Sequence, residues 1–213
     1  MTTPRILLVG AGGHARACID VIECAGRFTI GGCIDAAFVD GATVLGYPLL
    51  GDDAALPAQR ATHDAALVAI GHVGDTAIRR RMAATLSRLG FDLPTIISPR
   101  AHVARSASIG CGTVVMHDVV IGPVASVGAH CIVNTRAMIE HDAIIGDDCH
   151  VATGAIINGG VRIGRGVFVG SGAVIRPGVE VQDGAFIAMG ARVTRDVAAE
   201  ERVPAKALLR VTR

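Results

Sequence analysis

Ile139-Glu140-His141-Asp142-Ala143-Ile144-Ile145-Gly146-Asp147-Asp148-Cys149-His150-Val151 contains two repeats of a six-residue unit. A β-branched aliphatic residue opens each repeat (Ile139, Ile145), and a small residue follows four places later (Ala143, Cys149). Outward from this stretch the aliphatic recurs at every sixth position: Ile97, Val103, Ile109, Val115, Ile121, Val127, Val133, Ile139, Ile145, Val151, Ile157, Ile163, Val169, Ile175, Val181, Ile187 and Val193. The slot four residues after each is small or β-branched throughout, from Ala101 to Val197. A helix repeats every 3.6 residues and a flat strand every 2, so a period of six with two inward side chains requires short parallel strands joined by tight corners. That is a parallel β-helix. Three hexads make one triangular coil, coils stack about 4.8 Å apart through backbone ladders, and the hexads over 97–193 give between five and six coils. Gly follows the aliphatic at Gly110, Gly122, Gly128, Gly146, Gly164 and Gly170, as expected where a corner takes a conformation that a Cβ disfavours.

Composition bounds the rest. The 213 residues leave room for one mid-sized domain and a smaller one. Hydrophobic residues make up 51% and mean hydropathy is +0.50, yet aromatics are only 3% and Trp is absent. The most apolar stretch, residues 113–133, is broken by His117, Asp118, Pro123 and His130, so no clean span of about 20 residues exists and the apolar excess belongs to a core. A net charge of +1 gives no support to a nucleic-acid or membrane-surface partner. No basic and apolar leader opens the chain, which reads as cytoplasmic. The six cysteines lack zinc-type spacing. Cys131 and Cys149, one coil apart at the same inward slot, read as two small reduced core residues rather than a cross-link.

Residues 1–96 are organised differently, which divides the chain into 1–96 and 97–213. Arg5–Val9 is a continuous apolar strand followed by Gly10-Ala11-Gly12-Gly13-His14; residues 15–24 read as a helix and Thr29–Ile34 as a second strand ending at Asp35. This βαβ unit has a Gly-rich first turn, which lets backbone amides at a helix N-terminus face a phosphate. The letters fit G-x-G-x-x-A at Gly10, Gly12 and Ala15, with an acid about 20 residues on. A nicotinamide cofactor is the reflex reading, but 96 residues hold one mononucleotide half of a Rossmann fold and not two. A further strand at 65–70 leads into Gly71-His72 and a basic helix at 76–89.

The Gly-Ala-Gly-Gly-His turn, the Ile-Asp strand end at Asp35, the Ala-Ile-Gly turn at Gly71, the hexapeptide repeat and the Val-Pro-Ala-Lys stretch from Val203 to Lys206 together resemble the sugar O- and N-acetyltransferase family of hexapeptide-repeat acyltransferases. The match covers essentially the whole chain. Within that family the pattern is similar to the GDP-perosamine N-acetyltransferases. The resemblance implies a left-handed β-helix, a homotrimer with acetyl-CoA between neighbours, and a nucleotide-sugar bound by the N-terminal domain. It implies substrate contacts at Gly12, Gly13, His14, Asp35, Gly71 and His72, the last standing where relatives commonly carry Asn. Acetyl-CoA contacts fall at His150, Ser171 and Met189. Arg192, Arg195, Lys206 and Arg210 either meet the CoA phosphates or form a solvated basic rim.

The stretch around Asn134-Thr135-Arg136 and Glu140-His141-Asp142 resembles the family's catalytic segment. Counted from Ile139, none of Glu140, His141 and Asp142 takes an inward slot. Acyl transfer from a thioester to an amine requires the amine to lose a proton, which suits an imidazole titrating near neutrality; a neighbouring carboxylate holds its tautomer. His141 is therefore expected to be the general base and Asp142 its orienting partner. The family often carries Glu at that place, so the shorter Asp predicts a longer or weaker hydrogen bond. The reading is an acetyl-CoA-dependent N-acetyltransferase of a nucleotide-linked amino sugar in surface polysaccharide or glycan biosynthesis, with a sialic-acid-type sugar O-acetyltransferase as the alternative. A carbonic-anhydrase-like β-helix needs zinc ligands five residues apart, and no two histidines in 97–193 have that spacing, so no metal is expected.

Overall fold

The structure, a computed structural model, describes residues 3–205. The N-terminal unit is a three-stranded parallel sheet in the order β2-β1-β5, built from β1 (Arg5–Val9), β2 (Thr29–Ile34) and β5 (Ala65–Val68), with a small β3–β4 hairpin (Thr43–Val44, Tyr47–Pro48) between. Helix α1 (Gly13–Ala25) follows β1, the short α2 spans Leu56–Gln59, and α3 (Ala77–Arg88) follows β5. Both strand and helix expectations hold to within a few residues. The continuous apolar run of β1 is explained by burial on both faces: Ile6 and Leu8 join one core, Leu7 and Val9 the other.

From Ile96 onward the chain is a three-sided parallel β-helix of two-residue strands. Each strand pairs with the one 18 residues later, as in Ile132↔His150 and Ile139↔Ile157. The first face has seven strands, from Ile96–Ile97 to Arg202–Val203; the second has six, from His102–Val103 to Arg192–Val193; the third has five, from Ser108–Ile109 to Glu180–Val181. Each coil runs from first to second to third face. The aliphatic of each hexad from Val115 on is buried, and so is the small residue four places later from Thr113 on. The interior admits one branched and one small side chain per hexad, which is why so apolar a chain needs almost no aromatics.

The glycines after the aliphatics have a different cause from the one expected. They do not adopt positive φ. Instead, a Cβ at Gly146 would lie 2.7 Å from the Gly164 backbone, and one at Gly170 would lie 2.4 Å from the Met189 nitrogen. These positions are glycine because the next coil passes too close for any side chain. The left-handed backbone falls two residues further on, at every sixth residue from Gly112 to Gly190, and six of those positions are not glycine: Asp118, Val124, His130, Arg136, Asp142 and Asp148.

The stack ends by dropping two residues. Phe186 pairs with Arg202 and Val181 with Val197, a spacing of 16 instead of 18, so the last coil closes with Val197 and Val203 after the aliphatic repeat has ended at Val193. Cys131 and Cys149 are free thiols; the Cys131 thiol donates to the Gly146 carbonyl at 3.2 Å and the Cys149 thiol to that of Gly164 at 3.0 Å.

The N-terminal unit lies on the first face. The outward residues Ile96, Val114, Ile132, His150 and Phe168 are all buried there, α1 packs against Ile96–Ile97, and Arg80 of α3 pairs with Asp148 at 3.4 Å. The second face presents Val120, Met138, Ile156 and Val174 in one column, half-buried and, among the described residues, not covered by another element. The third presents Ser108, Ser126, Ile144, Arg162 and Glu180. The two kinds of glycine respond differently to substitution. Gly154 (φ 65) has no atom within 4 Å of a built Cβ, and Asn tolerates left-handed backbone, so Gly154→Asn should cost less than about 1 kcal/mol in urea unfolding. Gly146→Ala, which overlaps backbone, should cost about 2–3 kcal/mol.

Candidate active site

His141 and Asp142 occupy the corner between the second and third faces, directly after the strand Met138–Ile139. Adjacent side chains point apart in a strand, but Asp142 has φ 59, and this turn brings its carboxylate beside the preceding ring. Asp142 Oδ2 lies 2.8 Å from His141 Nδ1. The expectation of a lengthened bond is therefore not met: the left-handed corner makes up for the missing methylene. The Asp142 hydrogen bond raises the imidazole above its ordinary pKa, with the Asp142 and Glu140 charges adding to it. Because the Nδ1–H donates to the carboxylate, Nε2 carries the free lone pair. Both side chains are more than half exposed.

The ring lies over Gly159, one coil above. A Cβ at Gly159 would sit 2.6 Å from His141 Cε1 and 2.7 Å from Nε2. Gly159 was not singled out from sequence, although its place 18 residues after His141 was a readable signal once the coil length was known.

A second constellation forms where the N-terminal unit meets the first face. It brings His14, Gly71, His72 and His150 together with Arg79. His150 Nδ1–H donates to the His72 carbonyl at 2.8 Å, and its Nε2 accepts from Asn134 Nδ2 at 3.4 Å, so this ring is held as one neutral tautomer. The His72 ring packs edge-on to it with centroids 5.2 Å apart. His72 is 8% exposed, and neither of its ring nitrogens has a hydrogen-bond partner. Burial, with His150 and Arg79 adding, lowers its pKa to about 4; burial, then Arg79, His150 and His72, lowers that of His14 to about 3. His14 Nε2 is 3.5 Å from Cys18 Sγ.

Arg79 organises this cluster and was missed in the sequence. Only 3% exposed, it donates to the Val68 carbonyl at 2.8 Å, to that of Ile70, and to that of His130 at 3.1 Å, which ties α3, the end of β5 and the β-helix together. Its signal was present: Arg79, Met82, Ala83 and Leu86 form the buried stripe of α3 at helical spacing, and the arginine run hid which of its members faced inward.

The Gly-rich turn is open. Gly12 is the N-cap of α1 and Gly13 its first residue; both are exposed, with no atom within 4 Å of a built Cβ at either. Asp35 turns back on this turn: Oδ2 accepts the Ala11 N–H at 2.7 Å and Oδ1 the Ala37 N–H at 2.9 Å. Gly71 abuts His14, whose Cβ lies 3.2 Å from a built Cβ there.

Ser171 and Met189 stack one coil apart on the corner between the first and second faces, with the Gly190 N–H donating to the Ser171 carbonyl at 2.9 Å; Met189 is 69% exposed. Arg195 is held by Glu201 at 2.7 Å, while Lys206 and Arg210 lie outside the described residues. The structure thus joins the His14–His72–His150 cluster to the face whose edge carries Ser171 and Met189, and places His141 and Asp142 at the corner opposite that face.

If the neutral imidazole is the working form, a raised pKa sets the acid limb of kcat/KM above that of an ordinary histidine. Asp142→Asn should move that limb to lower pH and reduce the plateau by less than loss of His141 does; a pH–rate profile checks both. Gly159→Ala, allowed by its backbone conformation, should displace the ring and cut kcat by about 10-fold or more with an unchanged urea midpoint.

The family model described as the PglD N-terminal domain matches residues 5–86, and that described as bacterial transferase hexapeptide (six repeats) matches residues 160–195. Among solved structures, a perosamine N-acetyltransferase variant from Caulobacter crescentus, in complex with CoA and GDP-perosamine, is 32% identical with a TM-score of 0.88, covering 94% of this chain and 93% of its own. The acetyltransferase domain of PglB from Neisseria gonorrhoeae, in complex with acetyl coenzyme A, is 31% identical with a TM-score of 0.87, covering 97% and 100%. WeeI from Acinetobacter baumannii is 25% identical with a TM-score of 0.85, covering 95% and 97%. No curated protein matches by sequence. With the fold, the full-length coverage and the identity all in agreement, the chain belongs to the sugar acetyltransferase family of hexapeptide-repeat acyltransferases.

Proposed function

We propose that the chain transfers the acetyl group of acetyl-CoA to the amine of a nucleotide-linked amino sugar, of the GDP-perosamine type, and does so as a homotrimer in the cytoplasm. The observation that carries this reading is the division of the site. The expected base stands at one edge of the second face and two of the expected acetyl-CoA contacts, Ser171 and Met189, at the other edge, with an unpartnered apolar column between them. One chain cannot bring the two edges together across its own sheet. A second copy packed on this face sets the His141 corner of one protomer against the Ser171–Met189 corner of the next, which is the closed cyclic arrangement of a trimer.

In this arrangement the amides at Gly12 and Gly13 face the diphosphate at the start of α1, Asp35 fixes the shape of that turn, and the unpartnered nitrogens of His72 meet sugar or amine beside His14 and Gly71. His150, with its tautomer fixed, and Ser171 and Met189 contact acetyl-CoA. His141 Nε2 takes the proton as the sugar nitrogen attacks the thioester carbonyl; the new C–N bond replaces the C–S bond, and CoA leaves as a thiol once the proton reaches sulfur. Asp142 holds the imidazolium that forms. No helix among the described residues is long and apolar enough to cross a membrane. The alternative acceptor is a sugar hydroxyl, which the same base would serve.

His141→Ala should reduce turnover by about 10²–10⁴ with little change in acetyl-CoA affinity. Co-expressed in equal amounts with a Met189→Arg chain that is inactive alone, it should regain activity in about a quarter of all sites; no recovery would show that each chain builds its own site. Acetyl-CoA consumption with GDP-, UDP- and dTDP-linked amino sugars, each against its hydroxy analogue, identifies the acceptor. Turnover of the hydroxy sugars alone would establish the O-acetyl reading.

A further inference from the structure

On the corner between the first and second faces, three coils below Ser171, α1 presents Asp20 and Cys24. Four residues apart on a helix, they project from the same side, and both are exposed. That side meets His117, which follows the strand Val114–Val115 at the corner between the first and second faces. Asp20 Oδ2 is 2.7 Å from His117 Nε2, and one ligand atom from each of Asp20, Cys24 and His117 lies within 4.8 Å of the other two. On the far side of the ring, His117 Nδ1 is 2.6 Å from Ser98 Oγ.

Read in a line, Asp20, His117 and Ser98 have the order of a hydrolase triad, but Ser98 is 1% exposed and its oxygen already accepts the Arg100 N–H at 3.0 Å. A nucleophile must be reachable, and this hydroxyl is sealed. Its role is to hold the ring from behind. What remains in front is an imidazole nitrogen, a carboxylate and a thiol, all carried on rigid elements. A histidine whose second nitrogen is engaged by an oxygen is the usual state of a metal-ligating histidine, and the mixed nitrogen, sulfur and oxygen set suits a thiophilic divalent ion. Calcium and magnesium ask for six or more oxygens, which one carboxylate does not provide.

We propose that Asp20, Cys24 and His117 form a binding site for a zinc-class divalent cation that cross-links α1 to the β-helix. On binding, Cys24 releases its proton to solvent, His117 gives up the Nε2–H that it donates to Asp20, holds its proton on Nδ1 toward Ser98 and offers the Nε2 lone pair, and Asp20 supplies one carboxylate oxygen. Thiolate and carboxylate together balance the ion's charge, and the fourth tetrahedral position faces water. The Asp20–His117 separation must open to about 3.3 Å, the edge of a tetrahedron with metal bonds of 2.0–2.1 Å, a shift that the exposed Asp20 side chain can make by rotation. The ion would fasten the far end of the helix whose first turn carries His14. The site uses none of the residues assigned to acetyl transfer, so it stands or falls independently of that function.

Cobalt(II) tests this on the full-length, chelator-treated and thiol-reduced protein. Wild type should develop the visible bands of tetrahedral cobalt and a near-ultraviolet sulfur-to-cobalt charge-transfer band, saturating at one ion per chain and lost when zinc is added. Cys24→Ser, an exposed and near-isosteric change, should abolish the charge-transfer band, and Asp20→Asn should weaken binding. Zinc at 100 times its dissociation constant should raise the Tm of wild type by about 5–10 °C and leave Cys24→Ser unchanged. Absence of the charge-transfer band in wild type, or its persistence in Cys24→Ser through another thiol such as the exposed Cys111, overturns the proposal.

Discussion

Every part of this molecule depends on the separation between stacked coils, set by backbone hydrogen bonds that run from each strand to the one 18 residues on. Contacts such as Ile132 N–H to the Cys149 carbonyl at 2.9 Å and His150 N–H to that of Val167 at 3.0 Å fix the rise, and the rise fixes what side chains can be. Inside, the space between coils takes a Val or Ile and an Ala, Cys, Thr or Val, with no space for an aromatic ring. At the six glycines that follow an aliphatic, the neighbouring backbone comes within 2.4–2.8 Å of where a Cβ would sit, so a hydrogen atom is all that fits there. The same closeness positions the candidate base: the His141 ring occupies the place that a side chain at Gly159 would take. The candidate base is thus oriented by the ladder and not by a loop.

One backbone unit repeated around a triangle produces three chemically distinct faces because the outward residue of each strand is free to vary. The first face ends in His150, Phe168 and Phe186, the last two ring-stacked at 5.0 Å and covered by Arg202 at 4.0 Å; the N-terminal unit lies over the upstream part of this row, with His72 against His150. The second keeps an apolar column, and the third is mostly polar. The difference leaves one side of the solenoid covered by the N-terminal unit and another side carrying an open apolar column, so the two surfaces do not compete.

The hexads were legible because a period of six has no other structural solution, and the solvent-facing position of His141 and Asp142 followed from counting places within one hexad. The βαβ unit was legible because its strands are continuous apolar runs closed by Gly. Other features were invisible for definite reasons. The shortened last coil breaks the period, so no periodic pattern reports it. The burial of His72 depends on the seat of the N-terminal unit on the first face, a contact between residues 78 positions apart in the chain. Asp35 stood where a ribose-binding acid would be sought, but hydrogen bonding by a carboxylate to the turn beside it is a geometric fact that spacing does not encode. The separation of the site into two edges appeared only once the order of the faces was known, since Ser171 and His141 differ by 30 positions in sequence and lie at opposite edges of the second face.

The left-handed corners show how strain was distributed. An L-residue there costs roughly 1–2 kcal/mol, and from Gly154 to Gly190 the corners are all glycine. Several have open space around a built Cβ, so conformation and not crowding explains glycine at those places. Upstream, from Asp118 to Asp148, side chains are kept, and four of the six serve a visible purpose: Asp118 pairs with Arg100 at 3.0 Å, Asp142 holds His141, Asp148 holds Arg80, and the ring of His130 fills the space above Gly112. Asp is among the residues that bear this conformation best, which gives a reason for Asp over the longer Glu beside the candidate base: the corner needs a residue at ease with positive φ, and the geometry there closes a 2.8 Å bond with the shorter side chain. Val124, one coil below Asp142, is the exception. A β-branched residue at φ 61 is sterically the worst choice for such a corner, and its side chain is 61% exposed with no partner in the protomer. It stands at the edge of the same face as the apolar column, so the strained corner and the column lie along one apolar strip of that face.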